Sequence, residues 1–106
     1  MPKKSVSINY YIFILIIIFS SNIKADQQLD LGKQIFLEKG ACASCHTLTD
    51  AGSYGNIGPN LNEIRPDMNR VMTAVINGIG VMPAYEGLLS KKEIEAVSQY
   101  VSKSVD

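Results

Sequence analysis

The 106-residue sequence has no tryptophan, one histidine and two cysteines. Its length leaves room for one small domain and excludes a multidomain enzyme. One histidine and two cysteines give three soft or imidazole ligands, fewer than the roughly four of a structural zinc site. No run alternates apolar and polar residues as a half-buried strand would. Acid is missing from residues 1–25, which carry Lys3, Lys4 and Lys24. Residues 26–106 hold seven basic and ten acidic residues, a net charge of −3. With no basic patch outside the first segment, a nucleic-acid-binding surface is excluded.

Residues 1–25 read as a secretory signal. Lys3 and Lys4 form the charged start, Ile8 to Phe19 is apolar apart from Asn9, and Ser20 to Ala25 is short, with Ala25 the expected last residue before cleavage. The apolar run is shorter than the roughly 20 residues a spanning helix needs. The rival reading is a retained membrane anchor. Both readings export residues 26–106, the expected domain, to the periplasm.

Export changes how the cysteines are read. Cys42 and Cys45 flank Ala43-Ser44, and His46, the single histidine, follows at once. A disulfide across two residues closes a tiny loop and stabilises little. A thioredoxin-like site needs a βαβ context that is missing here. Neither reading uses the histidine. Covalent haem attachment uses all three: two thiols form thioethers with the two haem vinyl groups, and the adjacent imidazole lies beneath the ring to ligate iron.

A second iron ligand is available at Met82, between the glycine-rich Asn77–Gly80 and Pro83. Pro83 stops a helix there, so Met82 is expected on a loop, and its thioether is a soft donor suited to haem iron. Met68 and Met72 instead recur with Val71, Val75 and Ile76 at helical spacing and read as core. Three helices are predicted: Asp30 to Lys39, stopped by Gly40; Asp67 to Asn77, after Pro66 and before Gly78; and Ser90 to about Ser104, opened by the capping box Ser90-Lys91-Lys92-Glu93. Ala51 to Leu61 reads as loop. With four aromatics (Phe36, Tyr54, Tyr85, Tyr100), residues 26–106 make a thin core that needs a staple.

From about Leu29 to Val101 the chain resembles the small class I c-type cytochromes, through the attachment motif, the Met-Pro loop and the three helices. The resemblance implies an all-α cytochrome c fold wrapped around one covalently bound haem c. Gly32 and Phe36 match the family's first-helix Gly-x-x-x-aromatic pattern, which implies that Gly32 lets the first and last helices cross near Tyr100. Gly58-Pro59-Asn60-Leu61 matches the family's Gly-Pro-x-Leu loop. By that likeness the Pro59 carbonyl accepts from His46 Nδ1 and Leu61 packs on the haem, so the site comprises Cys42, Cys45, His46, Pro59, Leu61 and Met82, with His46 and Met82 on the metal. The chain departs from many relatives in lacking a tryptophan near a haem propionate; Tyr54, Asn60 and Arg65 are the expected substitutes.

The resemblance implies an exported carrier of single electrons rather than an enzyme, since two filled axial positions leave no open site for substrate. Its partners would be redox proteins, such as a dehydrogenase, a cytochrome complex or a terminal oxidase. It would act as a monomer or a small complex subunit, touching membrane only if the first segment is retained. The alternative is the haem c subunit of a periplasmic dehydrogenase complex, oxidising sulfite or an alcohol. A ligand sensor or peroxidase-like protein would require an open iron. The expected transfer edge lies near Cys45, on an apolar rim of Ile57, Val81 and Ala84.

Overall fold

The computed structural model describes Tyr11 and residues 22–106. The secretory-signal reading of residues 1–25 falls almost wholly outside that range. Among the described residues no helix is long and apolar enough to cross a membrane.

The first helix, α1, is helical over 22–37. Its expected start at Asp30 is corrected: Lys24, Ala25, Gln27, Gln28 and Leu29 are good helix formers with no Gly or Pro among them, so the helix runs through the expected boundary after Ala25. It ends where the buried Gly40 N–H reaches back to the Ile35 carbonyl at 2.7 Å. Two short features were not expected. Thr47–Leu48 (β1) pairs antiparallel with Ser53–Tyr54 (β2), Leu48 opposite Ser53. Leu61–Ile64 forms a one-turn helix, α2, capped by the Asn60 side chain. A 3-10 turn over Thr49–Ala51 joins the two strands, so the stretch 51–61 is loop apart from the end of that turn, β2 and the start of α2.

Helix α3 spans Met68–Asn77, with the Asp67 carboxylate capping the Arg70 N–H at 2.8 Å. Gly78 ends it at φ 72°, a conformation that glycine adopts without a Cβ penalty. Helix α4 spans Lys91–Ser104, and its capping box forms as the sequence predicts: Ser90 Oγ accepts from Glu93 N–H at 3.1 Å, and Glu93 Oε1 accepts from Ser90 N–H at 2.9 Å. Helices α3 and α4 are thus where the pattern puts them, packed on each other, while α1 is already helical eight residues before Asp30 and ends two residues short of Lys39.

Helix α4 also crosses α1. Gly32 is buried in that crossing, where an added Cβ would fall 2.5 Å from Tyr100 Cβ and would collide with the Ala96 carbonyl. The rings of Phe36 and Tyr100 meet edge to face, 6.1 Å between centroids. Tyr100 Oη donates to Asp50 Oδ2 at 2.5 Å, pinning the loop after β1 to the crossing. Ile35 and Phe36 join Val71 and Val75 of α3 and Ile94, Val97 and Val101 of α4 in one buried cluster. Met68 and Met72, expected in the core, are half-buried and outside that cluster.

Lys39 Nζ sits 2.9 Å from both carboxylate oxygens of Glu93, clamping the turn after α1 to the start of α4. The Glu93 carboxyl is held below its ordinary 4.5, first by the Ser90 backbone N–H and then by the Lys39 ammonium. A lowered carboxyl pKa stabilises the fold fully above the unfolded value and loses that contribution as pH falls through the folded value. Glu93→Gln should therefore lower the melting temperature at pH 7, and the gap from the parent protein should narrow as melts are repeated below about pH 4.5. An equal gap at pH 7 and pH 3.5 would contradict this.

Candidate functional site

Cys42–Ser44 forms a single 3-10 turn, entered through Ala41 at φ 50°. That left-handed backbone costs a non-glycine residue about 1 kcal/mol or more. It is held by the Ala41 carbonyl, which accepts from both the Ser44 N–H (3.2 Å) and the Ser44 hydroxyl (2.6 Å). The Cys42 carbonyl in turn accepts from the N–H groups of Cys45 (3.1 Å) and His46 (3.0 Å). The turn thus gathers both thiols and the imidazole within one short coil. Burial pushes the Cys42 thiol up to about 11, so it stays protonated at neutral pH.

The loop 55–60 is folded onto His46. Gly58 N–H donates to the Cys45 carbonyl at 2.8 Å. A Cβ on Gly58 would lie 2.6 Å from His46 Cε1 and 2.9 Å from Nδ1, so only glycine lets this backbone lie against the ring. The Pro59 carbonyl is 2.7 Å from His46 Nδ1. A carbonyl can only accept, so Nδ1 carries the proton and Nε2 keeps its lone pair free.

Met82 sits in a tight turn, with Ile79 N–H donating to its carbonyl (3.2 Å) and its own N–H to the Ile79 carbonyl (2.9 Å). Cys42, Cys45, His46, Pro59, Leu61 and Met82 all line one cavity of about 1040 Å³. That volume lies at the top of the ~300–1,000 Å³ range of ligand pockets. Among the described methionines Met82 alone faces the cavity; Met68 and Met72 do not line it. The walls include the buried side chains of Phe36, Val71, Val75, Val97 and Val101. The rim is apolar and exposed: Ile57 is 70%, Ile79 67% and Val81 89% accessible. Ile79 adds to the expected rim, and Ala84, though exposed, lies off the lining.

The three residues expected near the propionates are not at the cavity. Tyr54 is 71% exposed and off its lining. Asn60 spends its side-chain oxygen on the Asn62 N–H at 2.9 Å. Arg65, left-handed at φ 46°, turns to Asp106 at 3.3 Å. Among the described residues Arg70 is the cation that lines the cavity, together with Asn69, Thr73 and Asn77 of α3. The signal for it was helical spacing: Arg70, Ala74 and Asn77 form a stripe beside Val71 and Val75.

Comparison with known proteins gives the family and the fold. The chloroplastic cytochrome c6 of Chlamydomonas reinhardtii is 33% identical over 85 residues, which is 71% of this chain but 53% of that protein's length. Cytochrome c6 of Bryopsis maxima is 30% identical over 88 residues, covering 74% of this chain and 93% of that protein. The crystal structure of the c-type cytochrome SorU from Sinorhizobium meliloti superposes with a TM-score of 0.72 at 55% identity, over 76% of this chain and 93% of SorU. The family model described as cytochrome C oxidase, cbb3-type, subunit III matches residues 27–101. With that match spanning the attachment turn, the Met82 loop and α4 as far as Val101, the chain belongs to the class I c-type cytochromes, monohaem electron carriers of cytochrome c fold.

Proposed function

We propose that this chain is an exported single-electron carrier holding one haem c through thioether links at Cys42 and Cys45, with His46 and Met82 on the iron. The observation that carries the reading is that both thiols, the imidazole and one thioether line a single apolar-walled cavity. The donor set fits the group: two thiols for attachment, an imidazole whose Nε2 is left free by the Pro59 carbonyl, and a soft sulfur. Bound haem c supplies a one-electron Fe(III)/Fe(II) couple. The chain's part is to hold, insulate and tune it. The Pro59 carbonyl fixes the His46 tautomer and raises the basicity of Nε2. Leu61, Val71 and Val97 exclude water, which disfavours the more highly charged ferric form. The exposed rim of Ile57, Ile79 and Val81 gives a redox partner an apolar surface to pack on, within a domain of net charge −3 over residues 26–106. That partner is a redox protein such as a dehydrogenase, a cytochrome complex or a terminal oxidase.

The test is spectroscopic. Ferric protein matured in an exporting host should show the weak near-infrared band of Met ligation. Met82→Ala should abolish that band and let carbon monoxide bind the ferrous form, whereas Met68→Ala and Met72→Ala should keep the band. A band that survives Met82→Ala would overturn the ligand assignment, and protein with no c-type haem spectrum would overturn the whole reading.

A further inference from the structure

The segment from Gly78 to Leu89 carries Met82 and has only isolated bridges, Ile79 with Met82 and Glu86 with Leu89, as regular structure. The turn around Met82 is closed by its own two hydrogen bonds and says nothing about where the loop sits. Tyr85 supplies that. Its N–H donates to the Val75 carbonyl of α3 at 2.8 Å, and its carbonyl accepts from the N–H groups of Leu88 and Leu89, each at 2.9 Å. Its hydroxyl donates to the Gly40 carbonyl at 2.5 Å, across 45 positions of sequence.

The last bond differs in kind. Among the hydrogen bonds of the described residues, it alone joins the stretch 78–89 to the stretch 38–60, which holds Cys42, Cys45 and His46. The acceptor is itself well anchored. Gly40 is buried, its N–H closes α1 on Ile35, and an added Cβ would meet the Ile35 carbonyl oxygen at 2.9 Å and Cys42 Sγ at 3.1 Å. The Tyr85 side chain also lines the cavity and packs against the buried core.

We propose that the Tyr85 hydroxyl and the Gly40 carbonyl form a clasp that holds the Met82 loop against the Cys42–His46 turn, making Tyr85 a positioning residue for the bond between Met82 and iron. The proposal rests on the assignment of Met82 as a ligand. A thioether is a soft donor and ferric iron a harder acceptor, so this is the weaker axial bond and the one most sensitive to loop position. An added ligand such as imidazole binds ferric iron only while Met82 is off, so its apparent affinity reports the population of that open form. A neutral hydrogen bond contributes about 0.5–1.5 kcal/mol, and its loss should raise the open population about two- to tenfold. With the clasp gone, the Val75 contact and the local turns still hold the chain, so Met82 loosens without the fold being lost.

The experiment is imidazole titration of ferric, haem-loaded protein at fixed pH, read by the near-infrared band, alongside a thermal melt. Tyr85→Phe keeps the ring and its packing and removes only the donor. The expected result is imidazole binding about two- to tenfold tighter, with the band present before imidazole is added. Tyr100→Phe is the control, since it removes a comparable hydroxyl bond, to Asp50, at the α1–α4 crossing. It should lower the melting temperature and leave imidazole affinity unchanged. Unchanged imidazole affinity in Tyr85→Phe, or an equal tightening in Tyr100→Phe, overturns the clasp. If the parent protein and Met82→Ala share the same band and the same imidazole affinity, the ligand assignment beneath the proposal has failed instead.

Discussion

Replacing Cys42 and Cys45 together by Ala should give a chain that carries no covalent haem and does not melt cooperatively. Six buried core side chains, Phe36, Leu61, Val71, Val75, Val97 and Val101, are also walls of the cavity. Core and cofactor site are therefore one apolar assembly, and the cofactor supplies the contacts on its inner side. A cavity of about 1040 Å³ is far larger than the voids a close-packed core tolerates, and only ~5–15 kcal/mol holds an ordinary domain together. Collapse or wetting of the walls is the cheaper outcome, and a domain this small has no second core to fall back on. Circular dichroism of the double variant should show reduced helix and a broad thermal transition, and a denaturing gel stained for haem should show no band. A sharp melt of the haem-free protein, near that of the parent, would show that the helices hold without the cofactor.

Helices α3 and α4 announce themselves because their caps are chemical: Asp67 and Ser90 accept from N–H groups three residues on, and Gly78 takes a positive φ. Of the proposed site residues, Cys42, Cys45, His46 and Met82 stand out in the sequence because each carries a chemistry with few other uses here, namely two thiols with an imidazole next to them and a sulfur held before a proline; Pro59 and Leu61 come from the family resemblance alone. The pair β1–β2 is two residues per strand, too short for a period of two to appear. Helix α2 is a single turn made by the Asn60 cap and the tertiary hold of Thr49 N–H on Asn62 Oδ1 at 2.8 Å. The early start of α1 is hidden because the residues before Asp30 carry helix propensity without a cap or a long apolar face to mark a boundary. Arg65 and Arg70 show the limit most clearly. Both are cations near the middle of the chain, and only the left-handed φ of Arg65, invisible in the sequence, turns it to Asp106 while Arg70 faces the cavity.

Gly32 is the position where two physical rules predict opposite signs. In an exposed helix interior, glycine costs about 0.5–1 kcal/mol relative to alanine, so Gly32→Ala would stabilise α1 if propensity decided the outcome. The crossing says otherwise. The new Cβ would stand 2.5 Å from Tyr100 Cβ and 2.8 Å from the Ala96 carbonyl carbon, and the Ala96 carbonyl belongs to the backbone of α4 and cannot rotate away. The two helices must separate, and the losses accumulate: the Phe36–Tyr100 edge contact, the Tyr100–Asp50 hydrogen bond, and the register that lets α4 present Val97 and Val101 to the cavity. Overpacking of a tight core costs about 1–3 kcal/mol and more where backbone is struck. Gly32→Ala should therefore lower the melting temperature by about 10 °C or more at the ~4–8 °C per kcal/mol of a domain this size. Gly32→Val, with a branched side chain in the same place, should yield no folded haem protein. A melting temperature that rises in Gly32→Ala would mean the helices have slack at their crossing, and that propensity rather than contact sets the residue there.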